Sequence, residues 1–213
     1  MSLRRSYAVG IALVALAAAA SALAASEMPA RMVTTWNGAG EATGTTSRTV
    51  GLVAAPALSA LVLVLFAFLP RIDPLGENVR RFRRQYDTFV ALFVGFLVYL
   101  HLLVLAWNAG YRFEMVQALA PAVGVLFYYV GVVVEHAEQN WFVGVRTPWT
   151  LSNEEVWKRT HRRVGPLFKL AGLVAALGAL VPAYAEFLIA APAAAIAIYS
   201  FVYSFVEYRR VTA

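Results

Sequence analysis

Cysteine is absent from this 213-residue chain. That excludes a disulfide framework and thiolate metal centres. Charge is scarce as well. Asp, Glu, Lys and Arg make up 14% of residues, where an ordinary soluble domain carries roughly a quarter. Histidine occurs three times, with no H-E-x-x-H and no pair at helical ligand spacing. His136 and His161, with Glu135, Glu138 or Glu155, are the only combination that could meet in a metal site, and no metal is expected there. No Gly-rich phosphate loop, Ser-His-Asp set or Cys-His pair is present. The chain therefore reads as a non-enzyme without a cofactor.

Apolar residues are what it has in excess: 61% of the chain, with a mean hydropathy of +0.65. A chain of this size cannot hide that much apolar surface inside itself, so the bilayer must be its solvent. Six apolar runs are long enough to cross it, at about 7–25, 50–69, 88–107, 115–134, 165–181 and 187–206. The first also fits a signal peptide, with a basic start and small residues around Ala22-Leu23-Ala24, but its length suits a span. The expected fold is all-α: a six-helix polytopic membrane bundle with an interfacial cytoplasmic helix.

Basic residues set the orientation. With six spans, Arg4, Arg5, the cluster from Arg71 to Arg84, Arg146, Lys158, Arg159, Arg162, Arg163, Lys169, Arg209 and Arg210 share one side. Only Arg31, Arg48 and Arg112 fall on the other. The positive-inside rule then makes both termini cytoplasmic in a multi-pass cell-membrane protein, with residues 26–49 outside and 135–163 inside. The Arg80-Arg81-Phe82-Arg83-Arg84 cluster beside a span reads as contact with anionic lipid headgroups, not nucleic acid.

The longest polar stretch runs from Asn140 to Arg163 and holds three of the five Trp. Ser152 and Glu155 form a capping box for a helix from Asn153 to Arg163, and Pro148 favours an extended approach to it. On that helix Val156, Trp157, Thr160 and Val164 share a face, opposite most of the basic residues. It would anchor the next span, which Gly165-Pro166 opens, or dock a protein. The outer loop offers a turn at Asn37, Gly38 and Gly40 beside Trp36. His101 lies inside the third span, where an ionisable group is either bonded to a neighbouring helix or functional.

The stretch Asn140, Trp141-Phe142-Val143-Gly144-Val145-Arg146-Thr147-Pro148-Trp149-Thr150-Leu151-Ser152, Val156-Trp157 and Thr160-His161 resembles the signature of the SdpI family, membrane immunity proteins against a sporulation-delaying peptide toxin. Met28-Pro29, Thr34, Trp36-Asn37, Gly40 and Arg48 resemble the small domain that often precedes it. Val33 and Thr35 stand where that pattern has Pro and His. The resemblance implies a non-enzymatic protein that protects its cell from a toxin met outside, and in the best-known case a receptor that holds a repressor at the membrane. Candidate contacts for such a toxin or cytoplasmic regulator are Trp36, Asn37, Gly40, His101, Asn140, Trp141, Gly144, Arg146, Thr147, Pro148, Trp149, Ser152, Glu155, Trp157 and His161. The alternative is a small proton- or solute-linked transporter or channel, suggested by Pro-broken spans around His101.

Overall fold

The computed structural model describes residues 3–213, with side chains described from Ser6 onward. The side chains of Arg4 and Arg5, counted above for orientation, lie outside the described residues.

Five of the six apolar runs become helices of their own, and the run at 165–181 falls in the second half of another helix and the turn after it. Helix α1 spans Leu3–Ala24. A hairpin follows, with β1 Arg31–Trp36 antiparallel to β2 Ala42–Ser47. Helix α2 runs over Arg48–Ile72, capped by the Ser47 hydroxyl on the Val50 amide. A short α3 (Gly76–Arg81) leads into α4 (Arg83–Asn108). Helix α5 is Met115–His136, α6 is Pro148–Ser152 and α7 is Glu154–Ala176. Two 3₁₀ turns, Leu177–Ala179 and Pro182–Tyr184, precede α8 (Ala185–Thr212).

Helices α1, α2, α4 and α5, and the segment Pro182–Thr212, are long and apolar enough to cross a bilayer. Large apolar side chains such as Val53, Leu61, Val64 and Phe68 on α2 and Ile198 and Val202 on α8 point outward, half or more exposed. Water would penalise that surface at about 25 cal/mol per Å², and lipid does not. The chain is thus an all-α, multi-pass membrane protein, with one small hairpin added.

Three readings need correction. Residues 26–49 are not an irregular loop. They hold the hairpin, whose strands are rich in Thr and close through Asn37 to Glu41. Gly165-Pro166 does not open a new helix, because α7 passes straight through it. The interfacial helix and the start of the fifth predicted span are therefore one rod. Pro166 has no N–H to donate, so the Arg162 carbonyl one turn earlier goes without its usual helical partner while the helix continues. Ser152 does not cap that rod. Asn153 does, its Oδ1 accepting from the Glu155 and Val156 amides at 2.9 and 3.1 Å. Glu155 reaches forward to Arg159 instead of back. The extended approach expected at Pro148 is present, with Thr147 at φ −102° and ψ 163°, but it leads into α6, whose first residue is Pro148 and whose capping box is formed by Thr147 and Thr150.

The helices pack as two groups joined through α4 and α5. Val90, Val94 and Val98 of α4 meet Leu63 of α2 and Ala17 of α1, and the same cluster reaches Trp157 of α7. Helices α5 and α7 run antiparallel with backbones nearly touching. A Cβ added at Gly131 would lie 2.5 Å from the Gly165 carbonyl, and one at Gly172 2.5 Å from that of Gly124. Small residues at seven-residue spacing permit this approach. A Lys169–Glu135 ion pair closes over it. The Tyr7 hydroxyl lies 3.5 Å from Arg83, and Glu207 lies 3.2 Å from Arg159. The first turns of α1 and the last of α8 thus share the basic end of the bundle, and the hairpin lies at the other.

Candidate functional site

Two places gather the candidate residues, one at each end of the bundle.

At the basic end, the turn between α5 and α6 is built around Asn140, which is completely buried. Its Oδ1 accepts from the amides of Phe142 and Val143, and its Nδ2 donates to the carbonyls of Glu138 and Val143, at 2.7–2.9 Å. One amide side chain thereby holds a whole turn of backbone. The turn then crosses over His161. Gly144 takes φ +118°, and the next amide, Val145, donates to His161 Nε2 at 3.0 Å. The other ring nitrogen, Nδ1, donates to the Trp157 carbonyl at 2.8 Å. Both nitrogens are occupied, which fixes the neutral tautomer and leaves no lone pair for a metal. Burial pushes this imidazole down to about 4, against a smaller upward pull from its bond to Trp157. The Trp157 ring stacks on it at 4.0 Å, with Nε1 donating to the Ala137 carbonyl at 2.7 Å.

The rest of the segment ties helices together. Thr147 bonds to Ser204 of α8 at 3.0 Å, and Trp149 packs edge-on to Phe201 and against Phe205. Gln139 donates to the carbonyls of Thr150 and Leu151. Asp73, at the end of α2, accepts from the Trp141 amide at 3.0 Å. Arg146 donates to the Trp141 carbonyl. Trp149 and Trp157 thus face inward. Trp141, Phe142, Arg146, Pro148, Ser152 and Glu155 are exposed, as are Glu154, Lys158, Arg159, Arg162 and Arg163.

At the hairpin end, Asn108 pins β1 to α4: its side chain accepts from the Val33 amide at 2.8 Å and donates to the Val33 carbonyl at 2.9 Å. Trp36 meets Trp107 edge-on at 5.7 Å, and Arg112 lies 4.1 Å over the Trp107 ring. Asn37 and Glu41 close the turn that includes Gly40. Beneath the hairpin a cleft of about 500 Å³ opens between α2, α4 and α5. Trp36, Asn37, Leu58, His101, Met115 and Leu119 are among its lining residues. Trp36 Nε1 is buried with no hydrogen-bond partner among the described residues. His101 Nε2 lies 2.7 Å from the Ser21 hydroxyl, which itself donates to the Leu52 carbonyl. A hydroxyl has one proton, so Nε2 must donate to Ser21, and Nδ1 is the acceptor of the ring. Trp36, Asn37 and His101, separate in sequence, therefore border one cleft. Gly40 does not line it.

Residues 136–204 match the SdpI/YfhL protein family. This segment is SdpI-like. Residues 12–60 match a domain of unknown function (DUF1648), which covers most of α1, the hairpin and the first half of α2. The immunity protein SdpI of Bacillus subtilis (strain 168) is 23% identical over 169 residues, 79% of this chain and 79% of that protein. No solved structure matches. The SdpI-like match begins at the last residue of α5 and runs through α6, α7 and most of α8. It therefore contains the Asn140 turn, the His161 latch and the α8 contacts. The resemblance read from the rings and Pro148 stands, and within it Thr147, Trp149, Trp157 and His161 tie the α5–α6 turn to α7 and α8. Sequence reasoning did not single out Asp73, Gln139, Ser204 or Ser21. Ser21 and Ser204 lie inside apolar runs, with partners 80 and 57 residues away.

Proposed function

We propose that this protein is a membrane immunity protein that intercepts a membrane-active peptide at its hairpin end, with that end outside the cell and both termini cytoplasmic. The observation that carries the reading is the cleft under the hairpin. Its walls are apolar, from Leu58, Leu100, Val104 and Leu119, and its mouth carries Asn37 and the Trp36 ring. An amphipathic peptide entering from the bilayer surface meets an apolar slot with a few polar anchors. His101 Nδ1 supplies an acceptor within it, and Trp36 Nε1 a donor in its wall.

The SdpI-like segment has two tasks in this reading. Its buried residues hold α5, α7 and α8 in register. Its exposed Trp141 and Phe142, with Arg146 beside them, offer an aromatic and cationic surface to a cytoplasmic regulator. The transporter alternative draws less support, because Val90, Val94, Val98 and Leu63 fill the centre between α1, α2 and α4.

The test is protection. A toxin-sensitive strain expressing the wild-type chain survives the sporulation-delaying peptide, and Leu58→Trp, which fills the cleft, loses protection at equal membrane abundance. Survival of Leu58→Trp cells at the wild-type level sinks the cleft as the site.

A further inference from the structure

Beyond toxin interception, the seam between α7 and α8 at the basic end has the form of a lipid site. A polar cleft of about 540 Å³ is bordered by Lys158, Arg162, Arg163 and Tyr203. Two acids, Glu155 and Glu207, also line it, but both are engaged by Arg159, which lines it too, and Glu207 also by Arg210. Lys158 pairs with Glu154 on the far side. Arg162 and Arg163 have no acidic partner among the described residues, so the cleft keeps two uncompensated guanidinium groups. A guanidinium presents a fork of N–H donors that matches a phosphate.

Arg163 also begins a second groove of about 540 Å³, which descends between the same two helices. Its walls are apolar: Leu167, Leu170 and Val174 on α7, and Ala195, Ile196 and Tyr199 on α8. From Arg163 to Val174 the helix rises roughly 16 Å, about half of a hydrocarbon core roughly 30 Å thick. A phosphate-sized basic head joined to an acyl-length slot is the shape of one anionic phospholipid.

We propose that this seam binds an anionic phospholipid specifically, with the phosphate on Arg162 and Arg163 and one acyl chain between α7 and α8. Diffuse attraction of a basic face to anionic membrane would not distinguish these arginines from Arg81 and Arg84, which are also exposed at the basic end. A specific site would.

The experiment follows thermal unfolding of the delipidated full-length protein in detergent as lipid is added. Dioleoyl phosphatidylglycerol raises the midpoint saturably, whereas dioleoyl phosphatidylcholine and water-soluble glycerol phosphate do not. Arg162→Gln with Arg163→Gln weakens the apparent affinity about tenfold or more, and Ala195→Trp, which blocks the slot from an exposed position, does the same. Arg81→Gln with Arg84→Gln leaves it unchanged. Equal shifts with the two phospholipids, equal loss in the Arg81/Arg84 pair, or an equal shift with glycerol phosphate would each overturn the proposal.

Discussion

The backbone amide of Val145 donates to Nε2 of His161 across 3.0 Å, and that bond latches the α5–α6 turn onto α7. It exists only while the imidazole is neutral. The folded ring is held down at about 4 by burial, below an ordinary histidine near 6.5. A depressed value means that folding favours the neutral form. The latch is therefore complete above about pH 6.5 and is lost as pH falls toward 4. The linked stability is on the order of 3 kcal/mol. Unfolding midpoints of the purified protein should fall through that window. In His161→Phe, which keeps a ring over Trp157 but cannot accept from Val145, the starting midpoint should be lower and the fall between pH 6.5 and 4 smaller. An identical fall in both would place the sensitivity elsewhere.

Gly144 makes the latch geometrically feasible. Its φ of +118° is costly for any residue with a side chain, and an added Cβ would collide with His161 Nε2. Gly144→Ala should destabilise the protein by about 2 kcal/mol or more. Gly110→Ala is the matched control, since its φ is +103° and a Cβ there meets nothing within 4 Å. The difference between the two midpoints isolates the collision from the strain.

The glycine contact between α5 and α7 is equally sensitive to size. Gly172→Leu should separate the two helices, because its Cβ already meets the Gly124 carbonyl and the Tyr128 amide at 2.5 Å. The measurement is cross-linking between Cys introduced at positions 127 and 168, whose rings lie 6.3 Å apart in the wild type. Cross-linking should drop severalfold in Gly172→Leu. Unchanged efficiency would show that the helices tolerate the extra bulk.

Much of this fold was legible in the sequence for a simple reason. Runs such as Val50–Leu69 and Thr88–Trp107 can satisfy their backbone in lipid only as helices, so length and apolarity suffice to find them. The inward face of α7 was legible too, since Val156, Trp157, Thr160 and Val164 are all fully buried. What escaped depends on choices between neighbours or on distant partners. Ser152 and Asn153 are both good caps, and only the fold decides for Asn153. The Thr-rich strands at 31–47 alternate weakly, because Met32 alone among their residues is buried, and their attachment through Asn108 lies 75 residues away. His161 reads in the sequence as a candidate contact, and only the fold closes Val145 and Trp157 on it. The cleft joins Trp36 to His101 through tertiary packing alone.

The cleft carries the central claim, and direct binding tests it. Fluorescently labelled sporulation-delaying peptide is titrated with the purified protein in phospholipid nanodiscs, and polarization reports the complex. Saturable binding is expected for the wild type, weakened about tenfold or more by Leu58→Trp and by Trp36→Ala, and unchanged by Trp141→Ala at the opposite end. Absence of saturable binding to the wild type, or equal affinity in Leu58→Trp, would contradict the account.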